Sequence, residues 1–256
     1  MKTVLTVLTL FGVFLGCRVL PPAVWPERIG ATVPQMAVLL TAAAVAMKFE
    51  RGDRPRRPWV LFAVSAAVLL ASRAALWSGL RESSEGLLAA SNLVYAMAGV
   101  DVYLVLRGNP LIPPMHGRTR LALRLALVLA VVASAVGGGA LLARLLEHGW
   151  NGEPQDWTRA AAFVGLLCDA AVFVASLEVV ALLLPMAGGR AARPYGLLAG
   201  AGLIFLVVDL LGFGVSNDFG YDGLGEVLRA FSLVAWALYA AAALEQRRLI
   251  TRGVED

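Results

Sequence analysis

The sequence predicts an all-α protein, a polytopic bundle of seven or eight transmembrane helices. Hydrophobic residues make up 59% of the 256 residues and charged residues only 16%, whereas a soluble domain is roughly 45–50% apolar and about 25% charged. The apolar residues are gathered into runs of roughly 20, the length that an α-helix needs to cross a bilayer. Because these runs leave no room for a soluble domain, residues 1–256 are expected to form one integral membrane domain.

Eight apolar runs are candidates for membrane helices: 3–20, 32–48, 58–80, 86–106, 121–146, 160–186, 195–216 and 226–245. The first run has two interpretations. Lys2 followed by an apolar stretch is typical of a signal peptide. However, Phe14 is unusual in a lipoprotein cleavage site before Cys17, and no other small-residue cleavage site follows cleanly. We therefore expect an uncleaved first helix over 1–20, with a signal peptide as the alternative.

The basic residues between the runs predict the orientation of the helices. If 48–57 faces the cytoplasm and the helices alternate, the inner segments hold 13 basic residues and the outer loops hold four. This is the positive-inside distribution of membrane proteins, and it predicts a cytoplasmic C-terminus. It also accounts for the net charge of +4 without a nucleic-acid partner, since the bases lie in short loops beside the lipid bilayer.

Two segments, 57–107 and 193–247, share a pattern. Each begins with Arg-Pro and an aromatic residue, and each has a charge 14 residues after that aromatic residue, Arg73 in one and Asp209 in the other. A second aromatic residue follows four positions later in both. The pattern predicts a parallel internal repeat, since both segments start on the same side of the membrane. The alternative is chance similarity, because Leu, Ala and Val dominate both segments.

Charged residues inside the apolar runs are the candidates for function. Each costs about 2.5–3.5 kcal/mol on insertion scales, and such residues usually face the bundle interior or a wet cavity. Position along the helices places Arg73, Asp209 and Arg229 in the same outer third of the bilayer, with Asp169 nearer its middle. We therefore predict an outward-facing polar pocket. Its predicted residues are Arg73, Asp209, Arg229, Asp169, Asn92, Tyr95 and Trp77.

The alternative role of Arg73 and Asp209 is structural. Their equivalent positions and opposite signs suit an ion pair that fixes the packing of the two repeats. Asp169 and Glu178 are nine residues apart, so they point to opposite sides of one helix and cannot pair with each other. Each of them needs a partner on another helix, which the sequence does not identify.

No metal or cofactor is expected. The two histidines, His116 and His148, are in loops or at helix ends, where they cannot form a metal cluster inside the bundle. The only lysines are Lys2 and Lys48, so the last helices have no lysine for a retinal Schiff base. Two cysteines far apart in sequence give neither a disulfide framework nor metal-ligand spacing.

The segment from Arg193-Pro-Tyr through Asp209 to Gly220-Tyr-Asp-Gly-Leu-Gly, Trp236 and Tyr239 resembles the multi-helix sensory modules of bacterial diguanylate cyclases and histidine kinases. The resemblance implies a non-enzymatic sensory or scaffolding protein of the bacterial inner membrane. It also implies a lipid or small-molecule ligand and a cytoplasmic signalling protein as partners. No catalytic domain follows the helices in the sequence, so that partner is expected to be a separate chain.

The segment Gly202-Leu-Ile-Phe-Leu-Val-Val-Asp209 is similar to a late segment of the lysoplasmalogenase-like family of eight-helix membrane hydrolases. This resemblance implies a lipid hydrolase that uses Asp209. Hydrolysis by two carboxyl groups, one activating water and one acting as acid, would need Asp169 or Asp101 as the second. A small transporter is the third hypothesis, which the parallel repeat permits.

Overall fold

The computed structural model describes residues 2–19, 27–108, 154–183, 190–215 and 222–252, with a few single positions between 125 and 143. Every regular element in these ranges is an α-helix, which confirms the predicted all-α class. The helices are α1 (Lys2–Val19), α2 (Glu27–Ala46), α3 (Arg56–Trp77), α4 (Arg81–Arg107), α5 (Pro154–Leu183), α6 (Arg193–Val215) and α7 (Asp222–Arg252).

Six of the described helices, all except α2, are long and apolar enough to cross a membrane. The apolar part of α2, Thr32–Ala46, is shorter. Seven of the eight predicted runs are therefore helical, and the chain is a multi-pass membrane protein. The predicted helix over 121–146 and most of the loop over 107–120 lie outside the described ranges.

The helices pack in an almost sequential ring. Each of α2 to α6 contacts the next helix in this series, and α7 closes the ring against α1 and α2. Side chains fill the middle of the ring, where the aromatic rings of Phe62, Tyr95 and Tyr239 lie within 6 Å of one another. The centre of the bundle is therefore packed by large side chains from helices on opposite sides of the ring.

The turn between α3 and α4 folds these helices into an antiparallel hairpin. Gly79 has a φ of +80° there, a conformation that glycine adopts without steric cost. Buried serines then join the two helices at two levels. Ser65 and Ser91 donate to each other's backbone carbonyls at 3.0 and 2.9 Å, and Ser72 donates to the carbonyl of Ser84 at 2.8 Å. Such bonds stabilise helix pairs in lipid.

Two glycines let helices approach closely around α5. A Cβ atom on Gly99 of α4 would lie 3.0 Å from Val172 Cγ2, and one on Gly202 of α6 would lie 3.0 Å from the backbone nitrogen of Phe173. Both glycines belong to the small-residue pattern that favours helix packing in membranes. At these two positions glycine is therefore needed for the close packing of the helices.

Helix α1 is part of the bundle in the structure. Near its start, Thr3 Oγ1 donates to Glu245 Oε1 of α7 at 3.0 Å, and Arg248 contacts the same carboxylate oxygen at 2.6 Å. Near its other end, Phe14 is only 1% exposed and packs in a cluster with Leu233. These contacts agree with a first helix that is retained, although retention itself stays a prediction.

Candidate functional site

A cavity of about 400 Å³ lies between α3, α4, α5, α6 and α7. Its lining includes five of the predicted pocket residues, Arg73, Asn92, Tyr95, Asp169 and Asp209. Serines, leucines and aromatic rings complete the wall. The structure therefore brings together residues from five helices that are far apart in sequence.

Asp169 and Asp209 form a carboxyl pair in the wall of this cavity. Their side chains share a hydrogen bond between α5 and α6. A carboxyl group donates a hydrogen bond only when it is protonated, so the pair holds at least one proton. Asp209 is thus the partner of Asp169 that the sequence could not identify.

Gly165 gives the carboxyl pair the space that it occupies. A Cβ atom at this position of α5 would lie 2.9 Å from Asn92 Nδ2 and 3.3 Å from Asp209 Oδ2. The amide of Asn92 and the carboxyl group of Asp209 therefore converge over the bare backbone of Gly165. This arrangement places an amide from α4 beside the carboxyl pair.

Arg73 lies in the same cavity, toward the turn between α3 and α4. Glu85, near the start of α4, is the carboxylate whose charge acts on the Arg73 guanidinium, and both side chains line the cavity. Asp209 has Asp169 as its hydrogen-bond partner. The direct ion pair between Arg73 and Asp209 stays a prediction.

Two of the predicted pocket residues, Trp77 and Arg229, are not among the residues that line the cavity. Trp77 is the last residue of α3, one turn beyond Arg73, and its side chain is 36% exposed. Arg229 lies on α7 one turn before Ser232, which does line the cavity, and Arg229 has contacts of its own. Both residues belong to the end of the bundle where Arg73 is found.

Several lining residues were not predicted from the sequence. They are Ser65, Glu85, Gly165, Phe205, Ser232, Trp236 and Tyr239, among others. The spacing of Ser232, Trp236 and Tyr239 (i, i+4, i+7) marks one face of a helix, so the sequence groups these three residues without showing that they line a cavity. Glu85 lies just before the predicted apolar run 86–106, but α4 begins at Arg81, so Glu85 belongs to the helix.

The cavity lining agrees with the predicted repeat, which itself stays a prediction. Leu69 and Arg73 of α3 line the cavity, as do their counterparts Phe205 and Asp209 of α6. On the second helix of each segment the lining residues Leu88, Asn92 and Tyr95 correspond in spacing to Ser232, Trp236 and Tyr239. The two counterpart tyrosines meet with ring centroids 5.4 Å apart.

The remaining predicted acids lie elsewhere. Asp101 Oδ2 is 3.5 Å from Arg57 Nε at the opposite end of the α3–α4 hairpin, and Glu178 is hydrogen-bonded to Tyr103. Asp101 is therefore not part of the cavity. Among the described residues, no group of three or more His, Cys, Asp or Glu side chains is arranged to hold a metal ion.

The site thus combines a hydrogen-bonded carboxyl pair, an amide and aromatic surface at membrane depth. Such a site can bind an amphiphile, and its carboxyl pair can donate and accept a proton. Comparisons with protein-family models, with curated proteins and with solved structures found no match for this chain.

Proposed function

We propose that the protein is a non-enzymatic membrane receptor, a sensory module that binds a small amphiphilic ligand inside its helix bundle. The observation that carries the proposal is the cavity of about 400 Å³ with charged, amide and aromatic residues in its wall. Ligand pockets are typically about 300–1,000 Å³ and largely apolar, with a few polar groups that orient the ligand. Charges kept at membrane depth usually mark such sites.

The ligand enters from the outer leaflet in this proposal. The distribution of basic residues favours an outward position for the α3–α4 turn, and Arg73 and Glu85 lie on the turn side of the cavity. The same orientation puts the C-terminus in the cytoplasm of a bacterial cell, with the protein in the inner membrane. The lipid bilayer is then both its solvent and the source of its ligand.

Signalling would use the contacts that cross the cavity. The carboxyl pair connects α5 to α6, and Asn92 of α4 reaches the same point over Gly165. A ligand that replaces these contacts changes the relative positions of three helices. The opposite ends of α4 and α6 carry the basic residues Arg107 and Arg193, which can dock a separate cytoplasmic protein of acidic surface.

A lipid hydrolase is the second candidate, favoured by the carboxyl pair. The ionised carboxylate of Asp169 and Asp209 would take a proton from water as the water oxygen attacks the substrate. The protonated carboxyl group would give its proton to the leaving oxygen. Two carboxyl groups in different protonation states are the usual requirement for this chemistry. The cavity volume suits a lipid with a single chain.

One experiment separates the two candidates. The purified chain in detergent is incubated with lysophospholipids, vinyl-ether forms included. Products are followed by mass spectrometry and ligand binding by thermal unfolding. At about 100 times Kd, binding should raise stability by about 2.7 kcal/mol. We expect a higher Tm without product, and loss of the Tm shift in Asp209→Asn but not in the control Asp101→Asn.

Product formation that disappears in Asp209→Asn would overturn the receptor proposal in favour of the hydrolase. If no amphiphile gives either a product or a shift in Tm, both candidates are overturned. If the ligand raises Tm equally in the wild type and in Asp209→Asn, the cavity is excluded as the binding site.

A further inference from the structure

Aromatic rings form a continuous wall on one side of the cavity. Phe205 contacts Trp236 with ring centroids 5.0 Å apart and an interplanar angle of 70°. Trp236 stacks on Tyr239 at 6.3 Å, and Tyr239 contacts Tyr95 at 5.4 Å. All four residues line the cavity. The π faces of such rings attract cations within about 6 Å of their centroids.

The acidic side chains lie next to this wall. Asp169 is the acid whose charge acts on Tyr95, and Asp169 is hydrogen-bonded to Asp209. Phe205 is one helical turn from Asp209 on α6. An aromatic surface and a negatively charged carboxyl pair therefore border the same part of the cavity.

The charges of the lining residues do not cancel. Among the described residues that line the cavity, the acids are Glu85, Asp169 and Asp209, and the one base is Arg73. Arg73 lies beside Glu85 near the α3–α4 turn. We infer that the carboxyl pair shares one proton and keeps a single negative charge. A charge held among apolar groups needs a partner, and the described lining residues supply no cation besides Arg73.

Two tyrosine hydroxyl groups in the cavity wall also lack hydrogen-bond partners among the described residues. Tyr95 and Tyr239 are only 6% and 3% exposed, and neither hydroxyl oxygen has a hydrogen-bond partner among the described residues. Buried polar atoms are rarely left in this state. A ligand carrying N–H donors, or a water that arrives with it, would satisfy them after a small rotation of the rings.

From this arrangement we propose that the cavity binds an amphiphilic organic cation, whose ammonium group lies between the Asp169–Asp209 pair and the rings of Tyr95, Trp236 and Tyr239. The inference rests on the proposed receptor function and names the chemical class of its ligand. The negative charge of the pair repels an anion, and a neutral amphiphile leaves that charge without a partner. The apolar tail of the cation would lie along Leu69 and Leu88.

The test compares three hexyl compounds that differ in charge. Hexylammonium, hexanol and hexanesulfonate are titrated into the full chain in nanodiscs, and binding is measured by calorimetry. We expect hexylammonium to bind at least tenfold more tightly than hexanol, with no detectable binding of hexanesulfonate. The double variant Asp169→Asn/Asp209→Asn, which removes the negative charge of the pair, and Trp236→Leu should each weaken hexylammonium binding at least tenfold. Asp101→Asn, a matched change outside the cavity, should not.

The outcomes of this test distinguish a failure of the cation inference from a failure of the receptor function. Equal binding of hexylammonium and hexanol, unaffected by Asp169→Asn/Asp209→Asn, would overturn the cation inference and leave the receptor function in place. Preferred binding of hexanesulfonate would overturn the inference as well. Absence of binding for all three compounds, in protein that keeps its helical circular dichroism, would overturn the receptor function together with the inference.

Discussion

Replacing Gly202 with valine is expected to separate α5 from α6 and destabilise the whole bundle. Even the first added carbon would lie 3.0 Å from the backbone nitrogen of Phe173 and 3.2 Å from its Cα. Backbone atoms cannot rotate away, so the two helices must move apart. Overpacking of this kind costs about 1–3 kcal/mol and occasionally more. Thermal unfolding in detergent, followed by circular dichroism, measures the loss.

The matched control for this change is Gly196→Ala on the same helix. Its added carbon would lie 3.9 Å from Val180 Cγ2, an ordinary contact distance, and alanine favours a helix by up to about 1 kcal/mol over glycine. This variant should unfold at or slightly above the wild-type temperature. A Gly202→Val protein as stable as Gly196→Ala would contradict the close α5–α6 contact.

Replacing Gly165 with alanine is expected to leave the fold intact and to remove ligand binding. The new carbon would lie 2.9 Å from Asn92 Nδ2 and 3.3 Å from Asp209 Oδ2. Both atoms are at the ends of side chains, which can rotate away without moving a helix. The carboxyl pair and the amide are then displaced, and hexylammonium binding should fall at least tenfold, which corresponds to about 1.4 kcal/mol.

Gly86→Ala is the control for this second change, because among the described residues no atom from another part of the fold lies within 4 Å of its added carbon. Calorimetry should show unchanged binding in Gly86→Ala, and both variants should keep the wild-type unfolding temperature. If Gly165→Ala binds hexylammonium as the wild type does, the ligand does not use the surface around Asp209. If it fails to fold, Gly165 is a packing residue and the steric interpretation is wrong.

The helices could be predicted from the sequence because lipid imposes a simple requirement. A chain in hydrocarbon must satisfy its backbone hydrogen bonds internally, so an apolar run of about 20 residues is a helix. The predicted pocket residues Arg73, Asn92, Asp169 and Asp209 reach one cavity for a related reason. Polar side chains are excluded from lipid, so they turn inward to a common interior.

The pairing of these side chains could not be predicted. Whether Asp209 meets Arg73 or Asp169 depends on which helices are neighbours and on their rotation about their axes. The close approach at Gly202 brings α6 against α5, and this contact gives Asp209 an acid as its partner. The sequence suggested an ion pair of Arg73 with Asp209 as one possibility, whereas the hydrogen bond between Asp169 and Asp209 is visible only in the fold.

The aromatic wall was overlooked because its residues resemble ordinary core residues. Phe205 and Trp236 are apolar side chains in apolar helices, and nothing in their spacing separates a cavity wall from a packed core. In the sequence, Tyr239 stands out only as part of the segment that resembles bacterial sensory modules. The charge that gives these rings a role comes from Asp169, which lies on a different helix and is visible beside them only in the fold.

The proton shared by Asp169 and Asp209 is the feature on which the site depends. Infrared spectroscopy of protein with isotope-labelled aspartate detects the carbonyl stretch of a protonated carboxyl group. At neutral pH the wild type should show this band, Asp169→Asn and Asp209→Asn should each lose it, and Asp101→Asn should keep it. A wild type without the band, or a band that survives in both single variants of the pair, would show that the two carboxyl groups do not share a proton.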